Sequence, residues 1–328
     1  MPPVKILEPL LLFCLVFLTS SRNMAQDLDP RAYMRVPVKT TTAFTGFAYS
    51  FGGVVTDPTL PLENVKADVQ ATSFGVSHSF GLLGKTTQVL MVLPYSWAHV
   101  SGSIGEKDST TYRSGLADAR FRFTMLLIGG KASTLQEIIQ APRKTILGFG
   151  LNLSIPTGEF FPEKLINLGT NRWALRPELA LSQPLGKRWL VDVYSGVWLF
   201  TDNNTFYPGT SVRGQEPMGA FQAHLSYNIK PTLWVAFDAT HYVGGKSSID
   251  NEFRDDRQEN TRIGLTAVIP TGRFSSLKFA ASTGAVVRVG QDFTTFSLGW
   301  QRTWIKGLKN QPKGVPKSAS PFSRLTPL

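Results

Sequence analysis

Apolar and polar residues alternate strictly along residues 115–128, which read GLADARFRFTMLLI. Phe121 and Phe123 occupy one parity of this segment, whereas Arg120 and Arg122 occupy the other. Successive residues of a strand point to opposite faces, so the segment predicts a β-strand with one apolar and one charged wall. A helix would instead scatter the arginines through its apolar stripe.

The same alternation recurs along the chain in twelve segments of strand length. They lie near residues 42–51, 66–80, 87–100, 115–128, 145–155, 172–183, 189–200, 218–229, 233–243, 261–270, 276–287 and 293–304. The connections alternate between short turns, near 81–85, 184–188, 230–232 and 270–275, and long polar loops, at 52–65, 101–114, 156–171, 201–217 and 244–260. Short periplasmic turns and long outer loops are typical of membrane barrels. The pattern predicts an all-β fold, a transmembrane antiparallel up-and-down β-barrel of about twelve strands over residues 42–304.

Composition agrees with a barrel. The chain of 328 residues has 22 phenylalanines and 7 tryptophans, yet its mean hydropathy is −0.04. No apolar run of about 20 residues follows the N-terminus, which argues against a helical membrane protein, whereas a barrel places its apolar residues at alternate positions. The net charge of +11 would suit nucleic acid, but no recognition motif accompanies it, so we expect no nucleic-acid partner.

The two ends of the chain differ from its centre. Lys5 precedes an apolar stretch at residues 10–18, and Ala25 is a small residue suited to cleavage, which predicts a signal peptide over residues 1–25. An uncleaved anchor is the alternative. We assign residues 26–41 to an N-terminal periplasmic segment, and residues 134–140 to a short periplasmic helix. Residues 305–328 carry basic residues and prolines but no acid, which predicts a disordered C-terminal tail.

Several motifs resemble a known family. They are FGLLGK at 80–85, LPYSW at 93–97, GLADARFRF at 115–123, PTGEF at 156–160 and KLINLGTNRWALRPELALSQPLGKRWLVD at 164–192. In these motifs the chain resembles the bacterial outer-membrane proteins labelled "putative MetA-pathway of phenol degradation". The resemblance extends from about residue 46 to 304, and the basic tail departs from it. It implies a bacterial outer-membrane channel or transporter for small hydrophobic or aromatic compounds, which would diffuse passively through the lumen. A non-transporting structural or surface barrel is the alternative.

The polar parity of the strands predicts a charged lumen. Its candidate charged residues are Asp118, Arg120, Arg122, Arg172, Arg176, Glu178, Asp192, Asp238 and Arg262. Paired charges could hold the barrel shut, or the arginines could form a selectivity region. Tyr194, Trp198 and Trp234 share the inner parity and could stack on a flat solute, although Trp198 could equally belong to an aromatic girdle at the membrane boundary. Twelve strands leave a narrow or plugged lumen, and the loop at 156–171 could fold into it.

The chain offers little for catalysis or metal binding. Serines lie within a few residues of His99 and His241, but neither pair forms a spaced nucleophile motif. We therefore expect no enzyme, and a lipid-modifying barrel enzyme is the least favoured alternative. The acids of residues 250–256 indicate a solvated loop, with cation bridging to lipopolysaccharide as a minor alternative. We expect no cofactor and no metal centre. The expected partners are outer-membrane lipid, lipopolysaccharide and a small hydrophobic or aromatic solute.

Overall fold

A computed structural model describes residues 28–55, 62–104 and 107–307. Its strands are β1 (Thr40–Val55), β2 (Leu62–Leu82), β3 (Lys85–Ile104), β4 (Lys107–Leu116), β5 (Ala119–Ile128), β6 (Ile146–Ile155), β7 (Ala174–Leu185), β8 (Trp189–Phe200), β9 (Asn203–Phe206), β10 (Ser211–Gln215), β11 (Met218–Lys230), β12 (Leu233–Gly244), β13 (Ser247–Ile249), β14 (Glu252–Phe253), β15 (Gln258–Gly272), β16 (Ser275–Val286) and β17 (Gly290–Ile305). Within these residues the helix α1 (Leu135–Gln140) follows β5. The signal peptide predicted over 1–25, and the tail beyond residue 307, lie outside the described residues.

Antiparallel pairing closes the main sheet on itself. β1 pairs with β17 along its whole length, from Thr40 opposite Ile305 to Val55 opposite Gly290. β4 and β5 both pair with β3, on successive parts of its length, and together act as one strand interrupted at residues 117–118. The described residues therefore form a closed barrel of twelve strands, as the sequence predicts. Closure pairs the backbone groups of every wall strand, which lipid requires. In the part of the chain described here, no helix is long and apolar enough to span a membrane.

The alternation of side chains separates an apolar exterior from a polar interior. On β7, Leu179 points outward and is 55% exposed, whereas its neighbour Ala180 points inward and is 1% exposed. Outward phenylalanines such as Phe237 and Phe296 are similarly exposed. An apolar surface of this extent is stable in hydrocarbon and not in water. The exterior is thus that of a membrane-spanning barrel, which agrees with the predicted location in an outer membrane.

The connections confirm most of the predicted pattern, with one correction. The predicted loop at 101–114 is wrong, because β3 and β4 continue as a paired hairpin through Ser103 and Asp108. Serines and threonines are frequent in this stretch, which is compatible with a hairpin that extends into water. The loops at 201–217 and 244–260 contain a small separate sheet of β9, β10, β13 and β14.

The predicted short helix is present and is capped by its own sequence. The hydroxyl of Thr134 accepts a hydrogen bond from the backbone N–H of Glu137, and the Glu137 carboxylate accepts one from the N–H of Thr134. This reciprocal capping box stabilises the first turn. The hydrogen bonds that the Glu137 carboxylate accepts from the backbone N–H and the hydroxyl of Thr134 hold the pKa of Glu137 below its usual value.

We expect replacement of Phe237 by arginine to prevent stable assembly. Phe237 lies in mid-strand on β12, beside the outward-facing Leu225 and Leu265. A lipid-facing arginine near the midplane costs roughly 2–4 kcal/mol. The measurement is the heat-modifiable band of the folded barrel in outer-membrane fractions, with Phe237→Leu as the matched control. Equal assembly of both variants would contradict the assigned faces.

Candidate functional site

Residues 28–34 lie inside the barrel, against its inner wall. Tyr33 is fully buried, and its ring lies over Gly148 and Gly150 of β6, so closely that a Cβ atom on Gly150 would come within 2.0 Å of the Tyr33 hydroxyl oxygen. That hydroxyl donates a hydrogen bond of 2.8 Å to Oε1 of Glu178. The assignment of residues 26–41 to the periplasm is therefore wrong for these residues, because the glycines of β6 leave room for a ring inside the barrel.

Asp29 joins two cations that face each other across the lumen. Its carboxylate lies 2.5 Å from Nη1 of Arg122 on β5 and 3.5 Å from Nζ of Lys278 on β16. These strands are five neighbours apart in one direction around the barrel and seven in the other, counting β4 and β5 as one, so they are almost opposite. One carboxylate thereby pairs with cations from two distant strands.

Three further contacts fix this N-terminal segment to the wall. The guanidinium of Arg31 lies 4.2 Å from the ring centre of Trp234, and its Nη1 donates to the side-chain oxygen of Asn228 at 2.9 Å. The rings of Tyr33 and Tyr194 meet edge to face, with centres 5.0 Å apart. Cation–π and edge-to-face contacts of this kind are favourable beyond simple burial. The segment is thus held through β5, β6, β7, β8, β11, β12 and β16.

Buried polar pairs line the wall around the segment. Nη2 of Arg176 lies 3.0 Å from Oε2 of Glu178. Nδ1 of His224 lies 2.7 Å from Oδ1 of Asp238, and the hydroxyl of Ser182 donates a short hydrogen bond to Asp192. Arg176, Glu178, Asp192, His224 and Asp238 are each almost inaccessible to solvent. Buried charges need such partners, so this geometry agrees with a structural role for most wall charges.

The loop at 156–171 folds inward at the opposite, long-loop end. Oδ1 of Asp118 accepts a hydrogen bond from the N–H of Gly158, and Oδ2 accepts one from the N–H of Thr170, each at 3.0 Å. The interruption at residues 117–118 reverses the strand parity, so Arg113 on β4 also faces inward, and its Nε donates to the carbonyl of Ile166 at 2.9 Å. The loop therefore packs over the inner wall, as the sequence suggested.

Comparison with known proteins identifies the family. A family model described as "Putative MetA-pathway of phenol degradation" matches residues 45–314. The chain belongs to this family. The sequence resemblance is thereby confirmed over most of the chain. No curated protein matches it.

Solved structures share the barrel fold of this family member. The outer membrane channel from Pseudomonas putida F1 is 23% identical, with a TM-score of 0.73 over 85% of this chain and 100% of that chain. The transport unit of the autotransporter AIDA-I from Escherichia coli is 9% identical, with a TM-score of 0.51 over 86% of this chain and 94% of that chain. These similarities show the fold of an outer-membrane barrel.

The structure corrects the predicted aromatic surfaces. Tyr194 is 1% exposed and lies between Tyr33 and His224, so it presents no open face to a solute. Arg31 covers the ring of Trp234. Trp198 packs under the guanidinium of Arg176, at 5.0 Å, and therefore lies in the lumen and not in a girdle.

The predicted arginines do not form one cluster. Arg120 is exposed on the inner parity, while Arg172 lies just before β7, where it donates a short hydrogen bond to Gln215 and stacks over Phe200 at 4.6 Å. Arg262 is buried and donates to Ser282. Arg122 joins the N-terminal segment through Asp29.

Sequence reasoning missed the partners that the N-terminal segment supplies. Asp29, Arg31 and Tyr33 precede the first predicted strand and carry no strand pattern of their own. A signal was available in Gly148 and Gly150, because adjacent inward glycines on one strand leave space for another side chain. Within the described residues, no group of three potential metal ligands is present.

We expect Arg176→Gln to destabilise the barrel, because it leaves the buried Glu178 carboxylate without its cation. Loss of one partner of a buried ion pair costs up to roughly 3–5 kcal/mol. The measurement is the urea midpoint at which the heat-modifiable band is lost. Adding Glu178→Gln should restore part of the loss, and the exposed turn residue Arg273→Gln is the control. A single variant as stable as the wild type would contradict this role of the pair.

We expect Asp118→Ala to release the loop at 156–171, because two backbone N–H groups lose their acceptor. Hydrogen bonds to a charged group contribute roughly 1.5–3 kcal/mol each, so trypsin should cleave after Lys164 roughly tenfold faster or more. Asp108→Ala, which removes an exposed acid of the β3–β4 hairpin, is the matched control. Identical cleavage rates in the two variants would show that Asp118 does not hold the loop.

Proposed function

We propose that the barrel is a passive channel that admits small hydrophobic or aromatic compounds through the outer membrane. One observation carries this proposal: the wall side chains do not themselves fill the lumen. Instead, the N-terminal segment and the loop at 156–171 occupy it, through contacts such as those of Tyr33 with Gly150 and of Asp118 with Gly158. Both are non-covalent, so both segments can leave without opening the wall.

The inner wall is compatible with a passage once these segments move. Small residues face inward along it, among them Gly148, Gly150, Gly196 and Ala180. Twelve strands enclose a lumen between the filled interior of about eight strands and the open pore of sixteen. Trp234, which Arg31 covers, then lines the freed space and offers its ring to an aromatic solute. The description of the family, which refers to phenol degradation, supports the same solute class.

A structural or surface barrel remains the second candidate. Buried pairs such as Arg176 with Glu178 and His224 with Asp238 would suit it, because they stabilise a closed interior. Such a barrel has no need of an interior filled by separable segments, and this favours the channel. The similar solved structures include a channel and a transport unit, which agrees with transport more than with a lipid-modifying enzyme.

We expect expression of the chain to raise the initial uptake of ring-labelled phenol by intact cells of a bacterial host that lacks general porins. Lipopolysaccharide hinders apolar solutes, and the barrel would shorten their path across it. The measurement is initial uptake against the empty vector, with Phe237→Arg as a control for expression without assembly. A correctly assembled barrel that leaves uptake at the vector level would favour the structural alternative.

A further inference from the structure

The carboxylate of Asp29 occupies a preformed anion site. Arg122 and Lys278 both form their ion pairs with Asp29 among the residues the structure describes. Arg122 is oriented from the wall, because its Nε donates to Oδ1 of Asn152 at 2.6 Å. The guanidinium therefore presents its Nη1 edge to the lumen whether or not Asp29 is there. A guanidinium held in this way is suited to a carboxylate.

An aromatic cleft adjoins this anion site on the same wall. Asn152 and Gly150 are two positions apart on β6 and face the same side, and their cross-strand neighbours on β5 are Arg122 and Thr124. Gly148 and Gly150 form the floor of the cleft, and the Tyr194 ring forms one side. Alternate residues of a strand lie about 7 Å apart, which is the span between a carboxylate and the far edge of a ring in a small aromatic acid.

The N-terminal segment fills both halves of this arrangement. Asp29 supplies a carboxylate to the cations, and Tyr33 supplies a ring to the glycine floor. The segment belongs to no wall strand, and the structure describes it as a turn between Asp29 and Tyr33. It thus presents together the two groups that an aromatic acid would present.

We propose that Arg122, Lys278 and the cleft at Gly148, Gly150 and Tyr194 form a binding site for small aromatic carboxylates, and that Asp29 and Tyr33 occupy it as an internal ligand. A solute of this class displaces the segment by taking over its contacts. The carboxylate replaces Asp29 between the two cations, and the ring replaces Tyr33 on the glycines. The inference rests on the proposed channel function and specifies its substrate class.

The competition predicts a definite order of affinities. Asp29→Asn removes the internal anion and leaves both cations free to bind a solute. Asp29 and benzoate compete for one site, and the apparent affinity of a ligand falls with the fraction of molecules in which its site is free, so benzoate should bind this variant at least about fivefold more tightly than the wild type. Acetate lacks the ring and benzyl alcohol lacks the charge, so both should bind more weakly than benzoate. Raised ionic strength should weaken the benzoate complex.

The test is calorimetric titration of the purified, full-length barrel with benzoate, after the heat-modifiable band has verified folding. Asp29→Asn combined with Arg122→Gln should lose the gain in affinity, whereas Asp29→Asn combined with the exposed Arg273→Gln should keep it. If the Arg122 variant does not assemble, Lys278→Gln in the same background removes the cation on the opposite wall and should weaken binding as well. Equal benzoate affinity in wild type and Asp29→Asn, or a gain unaffected by removal of either cation, would overturn the proposal.

The result of the benzoate titration does not depend on whether the barrel transports a solute. Binding is measured in detergent, so a barrel that binds benzoate as described but fails to raise phenol uptake would refute the channel and keep the site. A barrel that raises phenol uptake but binds benzoate equally in all variants would keep the channel and refute the site.

Discussion

The pairing of β1 with β17 is the interaction on which the rest of the structure depends. It runs without interruption from Thr40 opposite Ile305 to Val55 opposite Gly290, and it removes the two edges that an open sheet would expose to lipid. Closure also fixes the parity of all twelve strands, because a shift of one residue in any register would exchange the inner and outer faces. The lipid-facing leucines and phenylalanines and the buried lumen charges therefore follow from one constraint.

Within the closed wall, charge balance decides what occupies the lumen. In pairs such as Arg176 with Glu178 and His224 with Asp238, both partners come from the wall. Arg122 and Lys278 find their acid in Asp29, which comes from outside the wall. Arg122 is mostly buried, and a buried cation without a partner is costly, so Arg122 retains an anion from whatever source supplies it, and Lys278 pairs with the same anion. Charges whose partners both belong to the wall are therefore structural, whereas the two cations that pair with Asp29 are suited to binding a solute.

The wall could be predicted from sequence, whereas the contents of the lumen could not. Period-two alternation located the strands and placed Arg122, Glu178, Asp192 and Asp238 on the inner face, because parity is a local property. The contact between Asp29 and Arg122 joins residues 93 positions apart. A contact over this separation produces no periodic pattern in the sequence. The reversal of parity at residues 117–118, which turns Arg113 inward, depends on the pairing of β4 and β5 with one strand. The sequence of the hairpin at 101–114 predicts a loop because it is polar and lacks a clear period-two alternation.

Thiol protection of the N-terminal segment tests the central claim most directly, namely that residues 28–34 occupy the lumen. Ala32→Cys and Lys131→Cys, the latter exposed in a connection at the short-turn end, are each treated with a maleimide whose polyethylene-glycol chain is too wide to enter the barrel. The unsubstituted chain, treated in the same way, is the control for any modification of Cys14. We expect the folded Lys131→Cys barrel to be modified rapidly and the folded Ala32→Cys barrel to react only after boiling. Equal rates of modification in the two folded barrels would place the segment outside the lumen and contradict the account.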